Sequence, residues 1–186
     1  MLQSISSVSG GSCRIGQISK EEERVATLNI GSVADDWRAK RLSNFSDDPF
    51  ELDGRRFASV EGFIQGIKFP DGDPRRSLAF VSVGAQAKRI GHDAFDPKSA
   101  VWGRRVVWWG REQIPFGSFM HQRLIERAIR AKFEQNERAR RALLATAGTK
   151  LTHDMGHPES RYTSLPARVF CDILTRIRTE LLAKEG

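Results

Sequence analysis

The stretch PFELDGRRFASVEGFIQGIKF, Pro49 to Phe69, decides how this chain folds. Its first half places "FEL" and "RRF" on either side of Asp53-Gly54, and a two-residue Asp-Gly connection suits a type I′ turn, which needs positive φ at both central positions. The pattern predicts a β-hairpin that runs straight into a helix at Ser59 to Phe69. At about 100° per residue, Glu61, Gln65 and Lys68 fall within roughly 60° of one another, beside an arc of Val60, Phe63, Ile64 and Ile67. A polar stripe therefore borders an apolar face. Two readings of it are open. Glu61 in the first turn and Lys68 in the last both complement the helix dipole. Alternatively, partial burial raises the pKa of Glu61 toward the range useful for acid–base work.

Upstream, Met1 to about Glu23 is Ser, Gly and charge without periodicity, so residues 1–23 read as a mobile leader and 24–186 as the single folded domain. "SGGSCRIG" in the leader has no preceding strand and no Lys-Ser/Thr pair, which excludes a phosphate loop. "ATLNI" reads as a strand. Downstream, "RRSLAFVSV" is helical or mixed, and "VWGRRVVWWG" is rich in β-branched and aromatic residues and reads as a strand. From Phe119 to Ala147 the Leu/Ile/Ala spacing predicts one long helix or two consecutive ones, stopped by Gly148. The loop "HDMGHPESRYTS" carries Gly156 and Pro158 and is expected to be irregular. A last helix starts near Pro166. The fold class is α+β and mostly helical, with a small hairpin and short strands.

The whole chain has 186 residues, 39% of them hydrophobic, enough for one core with appendages. Its net charge of +7 favours anionic partners, nucleic acid or a phosphorylated small molecule, although a solvated basic surface gives the same balance. Two cysteines, Cys13 and Cys171, make neither a disulfide framework nor a thiolate zinc cluster. No stretch is long and apolar enough to span a bilayer, so a soluble, cytoplasmic protein is expected.

Other residues invite functional readings. His153 and His157 have an i, i+4 spacing suited to a metal on a helix, but Gly156 and Pro158 argue against that helix, and no metal is expected. Asp154 and Glu159 in the same loop are candidate second carboxylates, or simply solvated acids. Trp102, Trp108 and Trp109 lie among Arg104, Arg105 and Arg111, a combination that stacks bases and holds phosphates, or else supplies one core tryptophan and an amphipathic neighbour. Strand alternation means that Trp108 and Trp109 cannot both face the core. Arg123, Arg127, Arg130, Lys132, Arg138, Arg140 and Arg141 read as a solvated face or as the lining of a nucleic-acid groove.

Three segments in order resemble the NADAR family, the YbiA-like N-glycosidases. "LSNFSDDPFELDGRRFASVEGFIQGIKF" is similar to its first motif, "SNF…PF.LDG..Y.S.EHYFQA.KF". "GAQAKRIGHD" is similar to the segment "A..LGR", and "IERAIRAKFEQNERARRALLATAGTKL" to "M..AL..KF.QN..L...LL.TG...L". The likeness runs from about Leu42 to Leu182. It implies a mostly helical α+β domain that hydrolyses N-glycosidic bonds of phosphorylated or ADP-ribosylated ribosides, without a cofactor. The family activities it brings with it are cleavage of phosphoribosylamino-pyrimidine intermediates of riboflavin synthesis and removal of ADP-ribose from guanine in nucleic acid. It puts the motif glutamate on Glu61 and the lysine on Lys68 as catalytic groups, with Gln65 and Asn44 as substrate-binding groups. Trp109, Asp154 and Glu159 stand in for an aromatic and an acid that the family carries. The chain departs from the family at Gly62, where the family has His, at His92, where it has Arg, and in the closing "D.(F/Y)WG…N.LG" pattern, which "HDMGHPESRYTSLPARVFCD" replaces. A module that binds ADP-ribose or nucleic acid without cleaving it is the alternative these departures suggest.

Overall fold

The computed structural model describes residues 25–95, 105–160 and 162–185. The leader 1–23, with Cys13, and the pair Trp102 and Arg104 lie outside the described residues.

The hairpin forms as its turn chemistry requires. β2 (Phe50–Leu52) and β3 (Arg55–Phe57) pair antiparallel, with Asp53 at φ 51° and Gly54 at φ 73° between them. Helix α2 follows at Val60–Gly66, capped by Ser59, whose side chain accepts from the Gly62 amide. The helix is shorter than the sequence pattern suggests. It stops at Gly66, and Lys68 lies in the turn beyond it rather than in its last turn. Past Gly66 the chain tightens into turn hydrogen bonds, the Lys68 amide to the Gln65 carbonyl at 3.3 Å and the Phe69 amide to the Gly66 carbonyl at 3.1 Å, ahead of Pro70, which has no N–H to continue the ladder; the Ile67 carbonyl receives the Trp108 amide at 2.6 Å. Nor is α2 amphipathic in place, because all seven of its residues are buried.

Two glycines let the neighbours come that close. α3 (Pro74–Phe80) and α4 (Gly84–Ile90) pack on α2, and a Cβ on Gly62 would sit 2.5 Å from the Ala79 carbonyl oxygen and 2.6 Å from that of Ser82. A Cβ on Gly66 would collide with the Phe80 ring. The glycine at position 62, where the resembled family has histidine, is thus explained by the end of α3 resting there. A 3-10 turn at His92–Phe95 follows α4.

The other face of α2 meets an aromatic cluster centred on Phe57, whose ring lies 5.3 Å from Phe50, 5.1 Å from Phe63 and 4.8 Å from Phe80. A second hairpin, β4 (Val106–Trp109) and β5 (Glu112–Pro115), closes over it. Val107 is buried and Trp109, two residues on, packs against the core, whereas Trp108 between them does not, as strand alternation requires. The 119–147 segment is two helices, α5 (Phe119–Gln135) and α6 (Glu137–Leu144), broken at Asn136. α1 (Trp37–Leu42) packs on α6, and α7 (Ala167–Glu185) completes the core with Phe170, Ile173, Leu174 and Ile177. β1 (Thr27–Asn29) pairs in parallel with β6 (Lys150–Thr152), joining the two ends of the domain. Among the described residues no helix is long and apolar enough to cross a membrane.

Candidate active site

The polar stripe on α2 is a hydrogen-bonded chain inside the protein. Gln65 Nε2 donates to Glu61 Oε1 at 2.7 Å, and Lys68 Nζ donates to Gln65 Oε1 at 2.5 Å. Glu61 and Gln65 are each 7% exposed. Gln65 is held by close packing as well as by bonding, since a Cβ on Gly91 would occupy the space of its carboxamide. One buried amide therefore orients an acid and a base on either side of it.

Burial sets the protonation of both ends. Desolvation pushes the Glu61 carboxyl above the usual carboxylate range, against the opposing pull of the Gln65 hydrogen bond and the charges of Lys68 and Lys88. Desolvation brings the Lys68 amine down to about 8, with Glu61 resisting and Lys88 assisting. A lysine so placed keeps a substantial neutral fraction near physiological pH, as amine nucleophiles require.

Three further residues gather here. Asn44 lies against the N-terminus of α2, its carbonyl accepting the Glu61 amide at 2.9 Å. Lys88 on α4 is exposed, with its ammonium 5.8 Å from the Phe45 ring, and its charge acts on both Glu61 and Lys68. His121 on α5 is fully buried and held down to about 4 by desolvation and then by the charge of Lys68. Its Nδ1 accepts the Gly117 amide at 3.0 Å, which leaves the proton on Nε2, a buried atom with no hydrogen-bond partner among the described residues. Sequence reading missed His121 and Lys88. His121 shares a stripe with Leu124, Ile125 and Ala128, where a histidine reads as core, and Lys88 is one of many surface cations.

The remaining candidates are placed elsewhere. Trp109 packs on Phe63 and Phe57, at 5.2 and 6.0 Å between ring centres, on the aromatic side of α2, and its Nε1 donates to Asp53 Oδ2 at 3.0 Å. Asp154 is tied to the end of β1: its amide donates to Asn29 Oδ1 and its carbonyl accepts from Asn29 Nδ2, while its own carboxylate accepts from Gly156. Glu159 accepts the Ala167 amide at 2.7 Å, capping α7, and lines a surface cleft of about 1100 Å³ with Arg105, Phe116 and Tyr162. That cleft does not include Glu61, Gln65 or Lys68. Arg105 stacks over Tyr162 at 4.0 Å. Residues 153–160 are irregular, as their Gly and Pro imply, and His153 Nδ1 donates to the Ile30 carbonyl at 2.8 Å while His157 is exposed. Among the described residues no three His, Cys, Asp or Glu side chains gather as a metal would need. The basic face of α5 also needs correction at one residue: Lys132 is 1% exposed, and so lines neither solvent nor a groove.

Comparison with known proteins carries the same signal. The family model described as bacteriophage protein GP30.3 matches residues 36–179. N-glycosidase YbiA of Escherichia coli K12 is 32% identical over 124 residues, 67% of each chain. An uncharacterized 17.1 kDa protein of enterobacteria phage T4, from the Gp30-rIII intergenic region, is 29% identical over 148 residues, 78% of this chain and 93% of its own. The solution structure of E. coli YbiA superimposes with a TM-score of 0.61 over 87% of this chain and 88% of that one, at 23% identity, a likeness of fold. By the extent of these matches the chain belongs to the bacteriophage GP30.3 family and to the YbiA-like, or NADAR, family whose motifs it carries.

Proposed function

We propose that the protein is an N-glycosidase acting on a phosphorylated or ADP-ribosylated riboside. The observation that supports this best is the buried Glu61–Gln65–Lys68 chain, together with the name N-glycosidase borne by its E. coli relative. When the bond between C1 of ribose and nitrogen breaks, the electron pair leaves with the nitrogen and positive charge builds on the sugar ring. An anion in a water-poor setting stabilises that charge far better than one in bulk water. Glu61 supplies the anion. The leaving nitrogen takes up a proton, and water adds at C1 to complete hydrolysis.

Lys68 has two uses open to it. Protonated, it holds a phosphate or the leaving group; neutral, it attacks the aldehyde carbon of the ring-opened sugar as a Schiff-base nucleophile. Gln65 holds the orientation of both groups, and Asn44, whose main-chain carbonyl meets the helix N-terminus, bonds a ribose hydroxyl with its side chain in this reading. Lys88 gives the same region an exposed cation for a phosphate.

The test is release of ADP-ribose from guanine-ADP-ribosylated DNA, alongside release of ribose phosphate from the riboflavin-pathway intermediate, for wild type and Glu61→Gln. Turnover of either substrate that vanishes in a folded variant is the expected result. Near-normal turnover in that variant removes Glu61 from its role. Silence of the wild type on both substrates, with ADP-ribose still bound, makes the protein a reader instead.

A further inference from the structure

The fully buried ammonium of Lys132 has no part in the chemistry above, yet the fold gives it three oxygen acceptors. Nζ donates to the Arg41 carbonyl at 2.7 Å, to the Ser43 carbonyl at 2.9 Å and to Ser46 Oγ at 2.7 Å. Asp48 Oδ2 lies 3.8 Å away and offsets part of the charge, a carboxylate that Arg41 shares at 2.9 Å. Three N–H donors meet three oxygens, the full capacity of an ammonium. All three acceptors belong to one short segment, residues 41–46, which has no helix or strand pairing beyond the end of α1.

That segment carries Asn44, and Asn44 does one thing no other described residue does. The first amides of a helix have no acceptor within the helix. In α2 the Gly62 amide goes to Ser59 Oγ and the Phe63 amide to the Ser59 carbonyl, whereas the Glu61 amide goes to the Asn44 carbonyl. The backbone at Glu61 is thereby tied to the loop that Lys132 holds. The neighbours of Lys132 on α5 continue the attachment: Asn136 Nδ2 donates to the Pro49 carbonyl, and Gln135 bonds both the amide and the carbonyl of Glu51. The end of α5 thus clamps the chain from Arg41 to Glu51, just ahead of the hairpin and α2.

We propose that Lys132 is a positioning residue of the site: from the far side of the 41–46 loop, it fixes Asn44 against the N-terminus of α2 and so sets the placement of Glu61. The catalytic consequence rests on the glycosidase reading, but the geometric one does not. Loss of the ammonium leaves three oxygens competing for other donors, and the loop drifts before the core does, because Asn44 and Glu61 share a single hydrogen bond whereas the core is held by many contacts.

The experiment is amide hydrogen exchange, read residue by residue by NMR, on wild type, Lys132→Met and the milder Ser46→Ala, with steady-state turnover measured on the same samples. In Lys132→Met the Glu61 amide is expected to exchange on the order of tenfold faster or more while the amides of Ile173 and Leu174 in α7 keep their protection. Turnover falls in parallel, and Ser46→Ala moves both readouts the same way by less. If Glu61 and α7 lose protection together in both variants, or Glu61 keeps its protection, Lys132 is only a piece of the fold and the proposal is overturned. Should the wild type turn over neither substrate, the glycosidase reading fails on its own, while exchange at Glu61 still decides the positioning role.

Discussion

The two sides of helix α2 are equally dry and chemically opposite. On one, Val60, Phe63 and Ile67 lie at 0 to 1% exposure against Phe57, Trp109 and the second hairpin. On the other, Glu61 and Gln65 lie at 7% against α4 and Gly91, with Lys68 just beyond the helix end. Burying an apolar ring stabilises the fold by removing it from water, whereas burying an ionisable carboxyl costs stability unless its charge is compensated. Glu61 has one hydrogen-bond donor from Gln65 and distant help from two lysines, and its pKa remains raised. The aromatic side holds the helix where it is, and the polar side takes advantage of being held.

The largest test of this contrast lies on the apolar side. Phe63→Ala removes a ring packed against Phe50, Phe57 and Trp109 and is expected to cost about 3–5 kcal/mol in denaturant unfolding. On the polar side the sign reverses. The folded pKa of Glu61 is raised, so its contribution to stability is complete below the unfolded value and is lost as pH rises through the folded one. Glu61→Gln keeps an oxygen to accept from Gln65 and does not titrate. The variant is expected to be more stable than wild type at pH 7, with the difference shrinking as pH falls toward 4. A variant less stable than wild type at every pH means that the carboxylate is fully compensated, and the contrast between the faces fails.

The buried lysines give a smaller signature. Desolvation lowers both Lys68 and Lys132 to about 8, below the unfolded value of 10.5. Between those values the unfolded chain holds more protons, so stability rises with pH. Lys132 alone contributes about 1 kcal/mol of that rise between pH 8 and 9. The Cys171 thiol, pushed up from 9.0 to about 11 by burial, works in the opposite direction; it offsets a minor part of the rise as pH nears 9 and dominates only above it, so the lower window is the one to read. Unfolding midpoints at pH 8.0, 8.5 and 9.0 should climb in wild type and climb less in Lys132→Met; a flat wild-type profile shows that neither amine is desolvated as placed.

What the sequence disclosed follows from how local each feature is. The hairpin at Asp53-Gly54 is written in two residues, because few others accept positive φ there. The Glu61–Gln65–Lys68 register is likewise legible from spacing. The early end of α2 is partly so: Pro70 forbids a longer helix, whereas the tight turn at 67–69 and the bond from the Trp108 amide to the Ile67 carbonyl, 41 positions along the chain, are not written in the spacing. Nor is the burial of the stripe, which depends on Gly62, Gly66 and Gly91 admitting α3 and α4. α1 and the short strands β5 and β6 carried no pattern strong enough to separate them from loop, and β6 gains its identity only by pairing with β1 from the other end of the chain. Asp154 and Glu159 look like free acids in sequence, yet one serves the end of β1 and the other caps α7.

The finest test concerns Trp109, which sequence reading assigned to the substrate and the structure sets on the aromatic side. Its indole spans from the Phe63 ring to the hairpin turn, where Asp53 also accepts from Arg127 at 2.6 Å. Trp109→Phe keeps a ring on the cluster but loses part of the indole's packing on Phe57 and Phe63 together with the N–H to Asp53, a partly solvated bond worth about 0.5–1 kcal/mol by itself. Asp53 keeps its arginine, so the turn should hold. Turnover on either riboside substrate is expected to stay within about twofold of wild type, since a residue on this side of α2 reaches Glu61 only through the helix itself. A fall of tenfold or more in kcat in a variant that remains fully folded would mean that the indole meets substrate directly. The aromatic side would then be part of the site, and the division of α2 into a holding face and a working face would no longer stand.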